Sequence, residues 1–317
     1  MKKQRVCILG GTGFVGKHLV NRLADQGWRV RVLTRRRERH RELLVLPTID
    51  VIEANIHDDA VLHEQFAGIG VVINLVGMLN ESRRDAFRKI HVDLPRRIVA
   101  ACQEQGVSRL LHMSALHADA QAGKSRYQRS KGEGENAVHA AGNGLHVTSF
   151  RPSIIFGPGD NFFNRFAALV KLAPGVLPLA CPGARFAPVY VGDVVTAFVK
   201  SIDDKRTFGQ RYNLCGLATY TLQELLEFTA ITTRRRCAIL GLGNGLSALQ
   251  ARVMGLLPGK PLTYDNYLSM QVDSVCNGPF PEVFGVTPAS IEAIVPKYLA
   301  KKGDPFDDVR HHSRHDE

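Results

Sequence analysis

The run Val6-Cys7-Ile8-Leu9 is an apolar strand that breaks into Gly10-Gly11-Thr12-Gly13-Phe14-Val15-Gly16 and restarts as a helix. Behind the break Val15, Leu19 and Leu23 recur every fourth residue. This feature constrains the fold most. Glycines allow a tight turn and a close approach of backbone to a pyrophosphate, and the first N–H groups of the helix, with its dipole, favour negative charge. Strand, turn and helix in this order predict a phosphate cradle with Gly10, Thr12, Gly13, Phe14, Val15 and Gly16 as its binding positions.

The pattern repeats along the first half. Segments 28–33, 49–53, 71–76, 109–113 and 146–150 read as further strands, and 58–66, 85–105 and 127–141 as helices, with Pro95 a kink or break in the second. Strands alternating with helices predict an α/β Rossmann fold, a doubly wound parallel sheet whose ligands lie beyond the carboxyl ends of the strands. After Pro152 the pattern loosens. Thr221-Leu-Gln-Glu224 still reads as a capping box, and Thr287-Pro288 as a cap followed by proline at the first helical position. The expected division is a nucleotide-binding unit over 1–150, the last strands interleaved with a smaller substrate-side unit over 151–302, and a polar, disordered tail over 303–317.

At 317 residues, 44% hydrophobic and 22% charged, the chain has the make-up of a soluble globular protein. Its six cysteines, at 7, 102, 181, 215, 237 and 276, form no CxxC pair, so no metal site is suggested. Reduced thiols and a cytoplasmic setting are the expectation. The basic opening Met1-Lys2-Lys3-Gln4-Arg5 is followed by too short an apolar run for a signal peptide, and no window is long enough to span a bilayer. A formal charge of +11 suits an anionic partner, but the basic residues are spread and no nucleic-acid motif accompanies them. An ordinary basic surface is preferred to membrane attachment. Segment 238–257 is unusually apolar; core or subunit packing explains it best, and together with the charge it would also suit a surface facing a membrane or an isoprenoid.

Two features bear on the cofactor and the chemistry. Where an NAD site places a carboxylate after the second strand, this chain has Thr34 followed by Arg35-Arg36-Arg37. Guanidinium forks pair with a 2′-phosphate that a carboxylate would repel, which favours NADP(H) over NAD(H). Tyr127 and Lys131 lie one helical turn apart, so the ammonium is expected to lower the phenol's pKa towards working pH. Ser114, thirteen residues earlier at a strand end, is placed to bond the substrate oxygen.

With Gly10-x-x-Gly13-x-x-Gly16, Ser114, Tyr127-x-x-x-Lys131, Arg151-Pro152, Phe156-Gly157-Pro158-Gly159 and Pro188-Val-Tyr-Val-Gly-Asp193, nearly the whole chain resembles the extended short-chain dehydrogenase/reductase superfamily. The short Ser114–Tyr127 interval, Arg129-Ser-Lys-x-x-Gly-Glu135 and Phe284-Gly-Val-Thr-Pro288 resemble its atypical branch, typified by the dehydrogenase-like accessory subunit of respiratory complex I. The resemblance implies an NADP(H) site of Gly10, Gly13, Gly16 and Arg35, with Arg36 beside it. Asn55 and Ile56 would flank the adenine, Val76 and Gly77 the ribose, and Pro152 to Ile154 the nicotinamide. It makes Tyr127 the general acid/base, Lys131 its electrostatic partner and Ser114 the substrate orienter.

His91-Val92-Asp93-Leu94 stands where extended members read Asn-Val-x-Gly, which puts a proton relay through that position in doubt. Asp193 reads as a helix cap rather than a catalytic acid. The function expected first is hydride transfer to or from a carbonyl or alcohol of a small-molecule substrate, linked to quinone or respiratory-chain metabolism. The alternatives are a non-catalytic NADPH-binding subunit of a membrane-associated complex and a sugar-nucleotide epimerase or dehydratase. The chain is expected in the cytoplasm, free or held peripherally at the inner face of a membrane or on a respiratory complex, with no nucleic-acid partner.

Overall fold

A computed structural model describes residues 4–300 except 82, 84, 143 and 174. The tail expected over 303–317 lies outside the described residues. In chain order the strands of the first half are β1 (Val6–Leu9), β2 (Val30–Thr34), β3 (Ile49–Glu53), β4 (Val71–Asn74), β5 (Arg109–Met113) and β6 (His146–Pro152). Between them run α1 (Phe14–Asp25), α2 (Arg41–Leu44), α3 (Asp59–Phe66), α4 (Ala86–Arg88), α5 (Leu94–Glu104) and α6 (Arg126–His139). The second half adds β7 (Ile155–Phe156), α7 (Phe163–Leu172), β8 (Gly175–Leu179), β9 (Arg185–Phe186), β10 (Val189–Tyr190) and α8 (Val191–Ser201). It continues with β11 (Arg211–Leu214), β12 (Tyr220–Thr221), α9 (Leu222–Thr232), β13 (Cys237–Gly241), α10 (Asn244–Met254), α11 (Tyr264–Ser269) and α12 (Ile291–Leu299).

Seven strands form one sheet in the order β11-β6-β5-β4-β1-β2-β3, every pair parallel. The predicted doubly wound sheet is therefore present, and the strand order reverses between β1 and β4. Both faces are covered, and the side-chain alternation is visible in β1. Val6 and Ile8 enter one core layer with Leu19, Phe150 and Phe198; Cys7 and Leu9 enter the other with Phe66, Leu94 and Ile98. A third cluster, of Phe156, Phe163, Leu179, Leu222, Leu225 and Ile291, holds the C-terminal elements together.

The helix expected over 85–105 is interrupted. A π segment, Lys89–Asp93, separates α4 from α5, and Pro95 stands in the first turn of α5. Proline has no N–H for the carbonyl four residues back, that of His91. Gly134 of α6 comes so close to this carbonyl that a Cβ there would lie 1.7 Å from its oxygen. Buried Glu135, one residue on, accepts from Arg151 of β6 and pairs with Arg211 of β11, pinning α6 to the sheet edge.

Four expectations are corrected. Cys215 and Cys276 form a disulfide, so the reading of all six cysteines as reduced thiols fails. Their partnership is invisible to a spacing rule. It arises because the Ser153 hydroxyl donates to the Ser274 carbonyl and Ala187 N–H to the same oxygen, bringing the loop after α11 to the end of β11. Asp193 does not cap α8. It lies in the first turn and accepts from Ala289 N–H. Thr287-Pro288 starts no helix; α12 begins at Ile291 under a Ser290 cap. Segment 238–257 is core only in part: it forms β13 and α10, Ile239 and Ala251 pack inward, and Leu240, Leu246, Leu249, Val253, Leu256 and Leu257 are exposed. The capping box at Thr221–Glu224 is formed as expected.

Candidate functional site

The sequence-predicted residues all fall at or just past the carboxyl edge of the sheet, or on the helix that overlies it. Gly10 turns with φ +80°, and its N-terminal neighbour Leu9 accepts from Leu75 N–H, so the tips of β1 and β4 abut. Gly13 N–H closes the turn on the Gly10 carbonyl at 3.0 Å. A Cβ on Gly16 would lie 2.3 Å from the same carbonyl, so only glycine lets α1 pack this closely on the turn. Gly13 caps α1 without a side-chain bond, leaving the first-turn amides around Phe14 and Val15 without a side-chain acceptor; Thr12 is half-buried beside them.

Beyond β2, Arg37 is turned back, its Nε donating to the Val51 carbonyl and its N–H to Glu53. Arg35 and Arg36 are exposed, and among the described residues neither guanidinium has a partner. The charge of Arg35, after burial and Arg97, helps hold His57 below the usual histidine range, which places Arg35 towards the loop that follows β3. In that loop the Asn55 side chain accepts from His57 N–H and stays exposed, while Ile56 packs with Val76 on the core.

After β4 the buried Asn74 side chain accepts from Val76 N–H, and His91 Nε2 accepts from Met78 N–H at 3.1 Å, fixing the loop that carries Val76 and Gly77. Because Nε2 is an acceptor there, the ring proton sits on Nδ1, which donates to Ser130 Oγ at 2.9 Å; Ser130 donates in turn to the Tyr127 carbonyl. Burial, then the charge of Lys131, pushes His91 down to about 3 and keeps it neutral. His91 thus serves as a buried brace between the Gly77 loop and α6.

Lys131 Nζ donates to the Met113 carbonyl at 2.6 Å and lies 3.8 Å from where a Cβ on Gly77 would stand. Burial lowers its pKa to about 8, with Glu135 opposing the shift. Next in the chain, Ser114 Oγ is buried and has no hydrogen-bond partner among the described residues. Tyr127 is partly buried, its ring edge-on to Phe87 and His91 at centroid distances of 6.1 and 5.6 Å. Burial raises its phenol to about 12, against the expected lowering by Lys131, one of whose N–H groups donates to the Met113 carbonyl. Pro152 and Ser153 are buried and Ile154 half-buried: the Pro152 carbonyl accepts from Leu116 N–H and the Ile154 carbonyl from Val189 N–H.

Sequence reasoning missed two parts of this corner. Asp265 of α11 accepts from the backbone N–H groups of Arg126 and Tyr127 at 2.7 and 3.1 Å, holding the start of α6 beside its own Ser125–Gln128 capping box. Against it lies a cavity of about 450 Å³ lined by Phe87, Leu256, Tyr264, Arg126, Arg252 and Glu81. Neither has a local signal, since the facing elements are more than a hundred residues apart.

A seven-stranded parallel sheet with a glycine cradle at its switch point defines a Rossmann-type, dinucleotide-binding protein. Residues 6–215 match the NAD dependent epimerase/dehydratase family, and the chain belongs to it. Over 295 residues it is 30% identical to the NADH dehydrogenase [ubiquinone] 1 alpha subcomplex subunit 9, mitochondrial, of Mus musculus, covering 90% of this chain and 77% of that one. It is 33% identical over 197 residues to the ceramide reductase of Caulobacter vibrioides, covering 61% of this chain and 59% of that protein. Its fold matches the NADPH-dependent quinone oxidoreductase QOR2 from Escherichia coli, complexed with NADPH, with a TM-score of 0.72 at 18% identity, over 93% of this chain and 99% of that one. Among the described residues no helix is long and apolar enough to cross a membrane.

Proposed function

We propose that the chain binds NADP(H) at the carboxyl edge of its sheet and reduces the carbonyl group of a small, largely apolar substrate, with NAD(H) as the weaker ligand. The observation that carries this reading is the convergence of Lys131 on Gly77 and Met113 beside a buried Ser114 hydroxyl that has no partner among the described residues. An unpaired buried hydroxyl is costly and marks a place built for a ligand atom. The residues fit the cofactor: no Cβ fills the cradle at Gly10, Gly13 and Gly16, and past β2 stand two guanidiniums that have no partner among the described residues.

In this reading the first-turn amides of α1, with Thr12, hold the pyrophosphate, and Arg35 and Arg36 clasp a 2′-phosphate. Asn55 and Ile56 face the adenine, Val76 and Gly77 the ribose, and Pro152 and Ile154 the nicotinamide. When bound, the nicotinamide supplies the hydride that reduces the carbonyl carbon. Ser114 Oγ–H donates to the carbonyl oxygen, and Tyr127 delivers the proton that completes the alcohol. The Lys131 ammonium stabilises the phenolate left behind.

A second reading is favoured by one observation: the Tyr127 phenol is raised rather than lowered, and Lys131 is bonded elsewhere. On that reading the nucleotide is held as structure in a subunit peripherally associated with a membrane-associated complex, and the similarity to the NADH dehydrogenase subunit supports it. Both readings require NADP(H). Titration of the purified chain, followed by nucleotide fluorescence, is expected to give NADPH at least about tenfold tighter than NADH, with Arg35→Ala erasing most of the gap. Equal affinities in the wild type would contradict the cofactor assignment, and no binding of either would contradict both readings.

A further inference from the structure

Two adjoining pieces of the C-terminal surface invert the usual rule of apolar inside and polar outside. In the β8–β13 pair the register sets Val176 beside Ala238 and Pro178 beside Leu240. These four share one face, and all are exposed. The alternate residues Leu177, Leu179, Cys237 and Ile239 pack into the third core cluster, so the pair is apolar on both faces. In α10 the buried side is Ser247 and Ala251; Ser247 Oγ accepts from Cys181 N–H and donates to the Leu242 carbonyl. Its outer side carries Leu246, Leu249 and Val253, continued by Leu256, each more than half exposed. Gln250 Nε2 donates to the Pro178 carbonyl at 3.1 Å, tying the helix to the strand pair.

The segments that form this face carry charge of one sign. Residues 228–264 contain no Asp or Glu but carry Arg234, Arg235, Arg236, Arg252 and Lys260; residues 161–192 contain none but carry Arg165, Lys171 and Arg185. The three consecutive arginines lead directly into β13 and are exposed. Leucines on segments whose only charged residues are cations match the boundary between acyl chains and anionic headgroups. A second copy of the chain would bring the same cations against themselves.

We propose that the face formed by β8, β13 and α10 docks on a bilayer containing anionic phospholipid, with its leucines entering the acyl boundary and its arginines on the phosphates. The cavity beside Phe87 is bounded in part by Leu256 and Arg252 of this same face. The inference deepens the peripheral-association part of the reading above and does not depend on turnover.

The test is co-sedimentation of the full chain with vesicles of phosphatidylcholine alone and of an equal mixture of phosphatidylcholine and phosphatidylglycerol. The wild type is expected to pellet with the mixed vesicles and to be released by high salt. Replacing the three arginines (Arg234→Gln, Arg235→Gln, Arg236→Gln) should lower partitioning about a hundredfold, and Leu249→Asp about tenfold, with thermal melts unchanged. A wild type that stays in the supernatant, or variants that pellet as well as it does, would overturn the proposal. So would a dimer that Leu249→Asp dissociates in a chain that ignores vesicles. A chain that pellets but binds no NADPH would uphold docking and defeat the cofactor reading; the reverse would defeat docking alone.

Discussion

Lys131 carries its charge where burial disfavours it. Its pKa falls from 10.5 to about 8, so between those values the unfolded chain holds a proton that the folded one lacks, and stability rises with pH across that window. Below about pH 8 the full penalty stands. Lys131→Met keeps the stem and drops the charge. At pH 7 it should stabilise the fold by roughly 2 kcal/mol, after subtracting about 1 kcal/mol for the lost bond to the Met113 carbonyl. Thermal melts at pH 7 and near pH 10.5 check this, with the gain gone at the higher value. A residue kept at a cost to stability is a mark of function. The glycine cradle, the Arg35-Arg36 pair and the Tyr127/Lys131 spacing were legible in the sequence because each is a local pattern tied to a local backbone shape. The brace made by His91, the Asp265 contact at Tyr127 and the empty bonding capacity of Ser114 were not, because each depends on a neighbour brought in by the fold.

At the scale of elements, Gly134 leaves less room for a side chain than any other described glycine. Pro95 leaves the His91 carbonyl without its helical donor, the segment Lys89–Asp93 widens into a π turn, and α6 approaches that carbonyl where a side chain would collide. Gly134→Ala should therefore destabilise by about 2 kcal/mol or more, although alanine is the better helix former. Exposed Glu133→Ala, one position earlier, should leave stability within about 0.5 kcal/mol of the wild type; urea melts of the two variants compare them. The break at Pro95 could be read from proline chemistry, but its use as a landing place for α6 could not. The strands of the sheet were readable because parallel, doubly buried strands are continuous apolar runs. Beyond Pro152 the short pairs β7–β10 and β9–β12 have two residues to a strand, too few for a period, and the start of α12 was misplaced to Thr287-Pro288 for want of one.

Across the whole molecule the Cys215–Cys276 disulfide closes a loop with a sequence separation of 61 and joins the end of the large sheet to the segment after α11. Reduction should lower stability by up to about 4 kcal/mol on the loop-closure account, seen as a fall in Tm with dithiothreitol that Cys276→Ser reproduces and that reductant no longer deepens. That segment reaches the candidate site through Ser274 and Ser153, so the same treatment probes how firmly the proposed nicotinamide side is held. The central claim is that the nucleotide is turned over by this chain's own proton donor. It is tested most directly by single-turnover oxidation of bound NADPH across a panel of apolar carbonyls and quinones, wild type against Tyr127→Phe. The rate is expected to be at least about a hundredfold lower in the variant, with NADPH affinity unchanged. Equal rates in the two proteins, or no oxidation by the wild type with any acceptor, would contradict it.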